Sequence, residues 1–217
     1  MLMESLKDSR ISKITWLFLM LFLSACSPDI KMGFIDKTGK VVIEPIFDFA
    51  DNFSDGLAAV RMGDKRGYID KTGKMIIEPN FDATRGFSEG LAAIRKGDRW
   101  GYIEKKGKVV INPQYDTAES FSEGLAKVKM GKKFGYIDTT GKIVINPQFD
   151  EAERFFDGLA KVKIENRYGY IDKTGKMAIN PQFDEAEGFS DGLARVSIGN
   201  KWGYINKKGT YVWNPTN

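Results

Sequence analysis

Short apolar runs alternate with glycine, proline and charged residues along most of the chain, and the alternation returns every 34 residues. Residues 67–100 show it in full, with the sequence GYIDKTGKMIIEPNFDATRGFSEGLAAIRKGDRW. Its segments Gly-Tyr-Ile-Asp, Lys-Met-Ile-Ile-Glu and Leu-Ala-Ala-Ile-Arg have the length and β-branched content of strands. Its five glycines and one proline interrupt any apolar stripe at helical spacing. The pattern predicts three short strands per unit, although helical tetratricopeptide repeats share the period.

Turn residues separate these predicted strands. Lys-Thr-Gly, ending at Gly73, joins the first two strands in a hairpin, with glycine where a positive φ is needed. A second tight turn at 96–99 leads from the third strand into the next unit. The segment N-P-x-F-D-x-A-x-x-F-x-[DE]-G lies between the second and third strands, and we expect a loop or one helical turn because proline interrupts strand pairing. About 17 strands are predicted in total.

The repeat occupies residues 33–217. The units are 33–66, 67–100, 101–134, 135–168, 169–202 and a partial sixth, 203–217. The predicted fold class is all-β, with tandem three-stranded units that stack into an open solenoid-like array. A propeller-like ring is the alternative, but propeller blades usually contain about 40–45 residues. Each unit must bury its aromatic residues against its neighbours, and Tyr211–Asn214 is expected to cap the last one.

An aromatic residue and a glycine follow lysine or arginine near the start of most units. The occurrences are Arg99-Trp100-Gly101, Lys133-Phe134-Gly135, Arg167-Tyr168-Gly169 and Lys201-Trp202-Gly203. The pattern resembles the WG repeat, also called the KWG repeat, of bacterial proteins, although Arg66-Gly67 lacks the aromatic residue. The resemblance implies a β architecture and little about function, because the repeat occurs in many otherwise unrelated proteins.

The first 25 residues have the organisation of a signal peptide. Basic residues precede the apolar run Ile14–Leu23, which is shorter than the roughly 20 residues that span a bilayer. The following Leu23-Ser24-Ala25-Cys26 resembles the lipobox of bacterial lipoproteins. That resemblance implies cleavage after residue 25, acylation of Cys26 by fatty acids such as palmitate, and a lipidated tether at 26–32.

The residue after Cys26 bears on the destination of such a lipoprotein. It is Ser27, and not the aspartate that is associated with retention in the inner membrane of many bacteria. In a bacterium with two membranes, the outer membrane is therefore the expected location.

Composition narrows the possible chemistry. Of 217 residues none is histidine and one is cysteine, which excludes histidine-dependent triads, histidine-ligated zinc and an intrachain disulfide. The 33 basic and 29 acidic residues leave a net charge of +4, so nucleic acid is not an expected partner. No calcium-loop spacing occurs, and we expect neither a metal nor a cofactor.

Two sets of carboxylates recur and could be paired as catalytic acid and base. The first comprises Asp48, Asp82, Asp116, Asp150 and Asp184, and the second Asp55, Glu89, Glu123, Asp157 and Asp191. Because an active site is normally assembled once, repetition in every unit favours turn stabilisation over catalysis. The later phenylalanines, such as Phe121, are expected in the core. Trp100 and Trp202 are candidate ligand-binding residues that could stack on sugar rings.

These observations favour a non-enzymatic envelope lipoprotein that presents a repeat surface to a protein or to a cell-wall glycan such as peptidoglycan. An envelope hydrolase that uses Asp/Glu pairs is the alternative, and a single deep acidic pocket would favour it.

Overall fold

A computed structural model describes residues 30–216, and this part of the chain consists of β-strands, turns and bends. The strands, in chain order, are β1 (Met32–Ile35), β2 (Val41–Phe47), β3 (Phe49–Ala50), β4 (Leu57–Met62), β5 (Lys65–Asp70), β6 (Met75–Phe81), β7 (Ala83–Thr84), β8 (Leu91–Lys96), β9 (Arg99–Glu104), β10 (Val109–Tyr115), β11 (Thr117–Ala118), β12 (Leu125–Met130), β13 (Lys133–Asp138), β14 (Ile143–Phe149), β15 (Glu151–Ala152), β16 (Leu159–Ile164), β17 (Arg167–Asp172), β18 (Met177–Phe183), β19 (Glu185–Ala186), β20 (Leu193–Ile198), β21 (Lys201–Asn206) and β22 (Tyr211–Thr216). The prediction of an all-β fold is confirmed. The described residues contain no helix that could cross a membrane.

The strands form six antiparallel sheets, which we number 1 to 6 along the chain. Sheet 1 is the pair β1–β2, and sheets 2 to 6 are β3–β6, β7–β10, β11–β14, β15–β18 and β19–β22. The predicted number of three strands per unit is wrong, because a two-residue strand from the expected loop adds a fourth to sheets 2 to 6. Each of these sheets also crosses a unit boundary, since the third predicted strand of one unit pairs with the hairpin of the next.

The glycine after the repeated aromatic residue faces a bulge in the neighbouring strand. Tyr102 pairs with Ile111 but Trp100 pairs with Tyr115, so β10 places extra residues opposite Gly101. A Cβ atom added to Gly101 would lie 2.4 Å from the carbonyl oxygen of Ile111. We expected the second strand of each unit to end before its proline, and this prediction is wrong. The bulge removes the proline from regular pairing and lets the strand continue.

Aromatic pairs join neighbouring sheets through the core. The ring centroid of Tyr102 in sheet 3 lies 4.9 Å from that of Phe121 in the β11–β12 connection of sheet 4. The Tyr102 hydroxyl donates a hydrogen bond to the backbone oxygen of Glu119 at 2.7 Å. Corresponding ring pairs are Tyr68–Phe87, Tyr136–Phe155 and Tyr170–Phe189. These phenylalanines are buried as predicted, so each sheet completes the core of its neighbour.

Sheet 6, at the C-terminal end of the array, differs from the interior sheets. Tyr204 of sheet 6 occupies the position of the fully buried tyrosines, yet it is 41% exposed because no phenylalanine among residues 30–216 covers it. The Trp213 ring centroid lies 6.2 Å from that of Tyr204, and Trp213 is itself 49% exposed. The predicted cap at Tyr211–Asn214 thus forms most of β22 and covers this end incompletely. Within residues 30–216, no strand of sheet 6 pairs with sheet 1.

Candidate functional site

The first set of carboxylates stabilises the turn between the two central strands in sheets 2 to 6. Asp82 accepts a hydrogen bond from the backbone amide of Gly97 at 2.7 Å and forms an ion pair with Lys65. The hydrogen bond from Lys65, followed by that from Gly97, lowers the pKa of Asp82. The same turn contact is made by Asp48 to Gly63, Asp116 to Gly131, Asp150 to Glu165 and Asp184 to Gly199.

The second set occupies a different turn and links neighbouring sheets. Asp55 and Gly56 have φ values of 53° and 89°, as the two central residues of a type I′ hairpin turn require. The Asp55 carboxylate accepts a hydrogen bond of 2.8 Å from the amide of Gly90, in the equivalent turn of the next sheet. The corresponding acceptor–donor pairs are Glu89–Gly124, Glu123–Gly158 and Asp157–Gly192.

The two sets of carboxylates lie at opposite ends of the same strands. The turn that contains Glu89 precedes β8, whereas Gly97, the partner of Asp82, follows β8. A strand of this length spans about 17–20 Å, whereas the paired carboxylates of glycosidases are about 5–9.5 Å apart. The fold therefore does not bring the two sets together as acid–base pairs.

The described residues also lack a cluster of three or more histidine, cysteine, aspartate or glutamate side chains that could hold a metal ion.

The repeated aromatic residues before the glycines form a half-buried row along one face, which we call the aromatic row. It consists of Trp100, Phe134, Tyr168 and Trp202. A basic side chain lies over each ring: Arg85 is 5.2 Å from the Trp100 centroid and Arg195 is 3.9 Å from that of Trp202. Such cation–π contacts contribute about 0.5–1 kcal/mol at exposed sites. Guanidinium groups thus already lie over the rings of the two predicted ligand-binding tryptophans.

The cation over the ring comes from different sequence positions in different sheets. Lys127 lies on β12, 5.2 Å from the Phe134 ring, and donates to the backbone oxygen of Ala152 at 2.9 Å. Arg85 lies in a connection instead, and its Nε donates to the equivalent oxygen of Ala118 at 2.8 Å. Both cations therefore tie the aromatic row of one sheet to the short strand of the next sheet.

Two adjoining cavities between sheets 4 and 5 form what we call the groove. The first, of about 300 Å³, is lined by Lys127, Phe134, Glu151, Ala152, Glu153, Lys161 and Tyr168. The second, of about 460 Å³, is lined by Glu119, Ser120, Lys127, Glu153 and Arg154. The cavities share Lys127 and Glu153, which therefore lie at their junction. Apolar rings with a few polar groups around them are typical of ligand sites.

Each carboxylate that lines the groove already has a basic partner. Glu151 accepts hydrogen bonds of 2.8 Å from both Lys163 and the Tyr168 hydroxyl. These bonds, that of Lys163 foremost, lower the pKa of Glu151, whereas burial and then the bond to Glu151 raise the pKa of Tyr168. Glu153 pairs with Lys161 at 2.8 Å, and Glu119 pairs with Arg85 at 2.8 Å. The groove is therefore not the single deep acidic pocket that would favour the hydrolase alternative.

Comparison with known families identifies the repeat. A model of the WG containing repeat matches residues 32–65, 67–100, 100–134, 134–168 and 168–202. The chain belongs to the WG-repeat family. The resemblance noted in the sequence is thereby confirmed over most of the chain. No curated protein sequence matches it.

Solved structures that are similar to this chain are distant from it in sequence. The crystal structure of a eukaryotic initiation factor is 12% identical, with a TM-score of 0.55, over 83% of this chain and 59% of that one. Hsv2p of Kluyveromyces lactis is 12% identical, with a TM-score of 0.49, over 73% of this chain and 60% of that one. This chain thus spans about three fifths of the length of these proteins. At 12% identity, the similarity to the initiation factor shows the fold alone.

The groove contains residues that the sequence reasoning did not select. Phe134 and Tyr168 occupy the same repeat position as Trp100 and Trp202, so the repeated aromatic–glycine pair was a signal for them. No local signal indicated Lys127, because its position is alanine in earlier units. The predicted lipidation site, Cys26, lies outside the described residues.

Proposed function

We propose that the protein is a non-enzymatic lipoprotein of the bacterial cell envelope that binds a protein or a cell-wall glycan on its repeat surface. Lipid on Cys26 anchors it to a membrane, the outer one in a bacterium with two membranes, since Ser27 follows the lipidated residue. Two or three acyl chains suffice for stable attachment. The proposed function requires no cofactor and does not involve nucleic acid.

The groove is the observation that carries the binding function. Phe134 and Tyr168 are half-buried, so each ring contributes surface to the first cavity while it packs on its own sheet. Carboxylates and ammonium groups surround the rings at positions suited to hydrogen bonds with hydroxyl groups. A glycan fits this combination, because a sugar presents an apolar ring face bordered by hydroxyls. We therefore favour an envelope glycan over a protein.

The hydrolase alternative has weaker support. The repeated carboxylates accept hydrogen bonds from turn amides in nearly every unit, at opposite strand ends. The carboxylates of the groove have lysine or arginine partners. A general acid requires a raised pKa, and the pKa of Glu151 is lowered by its partners.

Binding and hydrolysis can be separated in one experiment. The full chain, purified in detergent, is mixed with peptidoglycan sacculi and centrifuged, and the supernatant is analysed for released sugar fragments. We expect the protein in the pellet and no time-dependent release of fragments. Release that continues with time would establish the hydrolase instead. Protein that stays entirely in the supernatant would exclude peptidoglycan as the partner.

Lipidation of Cys26 is tested independently. Labelled palmitate fed to cells is expected to be incorporated into the wild-type chain, because a lipobox cysteine is acylated on its sulfur. The Cys26→Ser variant, which lacks that sulfur, should be unlabelled and should accumulate as unprocessed or soluble protein. Wild-type protein that remains attached to membranes without acquiring label would contradict the lipoprotein assignment.

A further inference from the structure

We infer that the groove between sheets 4 and 5 binds an acidic saccharide, in which a sugar ring contacts Phe134 and Tyr168 and a carboxylate contacts Lys127 and Arg154. The inference rests on the proposed binding function and specifies its ligand class and its site.

The charge balance of the groove favours an anion. Its carboxylates, Glu119, Glu151 and Glu153, are all in ion pairs with basic side chains. Lys127 and Arg154, in contrast, line the groove without an ion pair to any carboxylate among residues 30–216. Lys127 has one hydrogen bond, to a neutral backbone oxygen, which leaves its ammonium group with capacity for two more. The groove therefore has an unneutralised positive charge at the junction of its two cavities.

The other end of the groove suits the hydroxyl groups of a sugar. Glu151 is held in place by Lys163 and Tyr168, and its lowered pKa keeps it ionised as an acceptor. The rings of Phe134 and Tyr168 stand in adjacent sheets and line the same cavity. Lys127 and Lys129 lie over the Phe134 ring, and Lys161 and Lys163 lie over the Tyr168 ring. A saccharide can therefore place its apolar ring face against the parts of the two rings that line the cavity, its hydroxyls near Glu151 and its anionic group near Lys127. Neutral sugars and simple anions each satisfy only part of this arrangement.

The arrangement is particular to the middle of the array. In sheets 2 and 3, the position of Lys127 is occupied by Ala59 and Ala93, which are buried. In sheet 6, the equivalent Arg195 is paired with Glu187, and the described chain has no later sheet to form a second wall. At the junction of sheets 5 and 6, the equivalent Lys161 donates to the backbone oxygen of Ala186, but it is also paired with Glu153. The aromatic row is thus repeated, whereas among the described sheets only Lys127 is a basic residue at this position without an ion pair.

Calorimetric titration of the full chain in detergent micelles tests the inference. The probes are trigalacturonate as the acidic saccharide, maltotriose as a neutral trisaccharide and polyglutamate as an anion without sugar rings. We expect trigalacturonate to bind at least tenfold more tightly than either of the other two. Arg154→Gln and Lys127→Gln should each raise its dissociation constant about tenfold, which is the effect of losing one hydrogen bond to a charged group.

A matched variant controls for net charge. Arg61→Gln removes one positive charge from an exposed strand position of sheet 2, outside the groove, and should change the dissociation constant less than twofold. Circular dichroism of all three variants should match the wild type, since Arg154 is exposed and glutamine can still donate to the oxygen of Ala152.

Three results would overturn the inference: no binding of trigalacturonate, equal binding of polyglutamate, or an equal effect of Arg61→Gln. The sedimentation experiment does not depend on these results. Protein that pellets with sacculi would support the general binding function even if the inference about an acidic saccharide failed, so the two proposals are tested separately.

Discussion

The Phe121→Ala variant is expected to lose about 3–5 kcal/mol of unfolding free energy, the usual range for removing a buried phenylalanine. Phe121 is 2% exposed, and its ring contacts Tyr102 of the preceding sheet at a centroid distance of 4.9 Å. Removal of the ring therefore leaves a cavity between sheets 3 and 4. Denaturant titration followed by circular dichroism would measure the loss.

The equivalent change at the end of the array provides the comparison. Phe189→Ala affects the junction between sheets 5 and 6, where Phe189 packs on Tyr170 at 4.8 Å. Units in a linear array depend on their immediate neighbours, so this variant should release only the last sheet and shift the main transition less than Phe121→Ala. Equal shifts would indicate that every sheet has two neighbours, as in a closed ring. A negligible effect at Phe121 would show that its ring is not part of the core.

The Gly135→Ala variant should be destabilised by about 3 kcal/mol, at the upper end of the usual effects of overpacking. A Cβ atom at this position would lie 2.5 Å from the carbonyl oxygen of Ile145. That oxygen belongs to the backbone of the bulged strand, so it cannot move aside as a flexible side chain does. The methyl group should force β13 and β14 apart. Thermal unfolding followed by circular dichroism measures the effect.

A nearby glycine supplies a control for this variant. Gly131 has a φ of 62° and open space around its Cβ position. The equivalent residue one unit later is Glu165, with a φ of 55°, so the chain already tolerates a side chain there. Gly131→Asn should therefore cost no more than about 1 kcal/mol, because asparagine adopts this conformation readily. If both variants were equally destabilised, loss of glycine flexibility and not the close approach to Ile145 would explain the effect at Gly135.

Local rules in the sequence were sufficient for the positions of the three longer strands of each unit, the turns and most of the core. The turn glycine Gly73 was predicted to need a positive φ, and it has a φ of 85°. The 34-residue period alone identified Phe121 as a residue that neighbouring units bury. These features depend on residues close together in sequence or on strict repetition, and both can be read from one chain.

Contacts between distant residues were decided only by the tertiary structure. The proline was expected to end a strand, but the bulge opposite Gly101 lets the strand continue, and that approach depends on the folded hairpin. The cation over an aromatic ring is Arg85 in one sheet and Lys127 in the next. Side chains from a connection and from a strand can reach equivalent places only once neighbouring sheets are packed. For the same physical reason, repetition in the sequence revealed the recurring aromatic position, whereas the groove beside it required the structure.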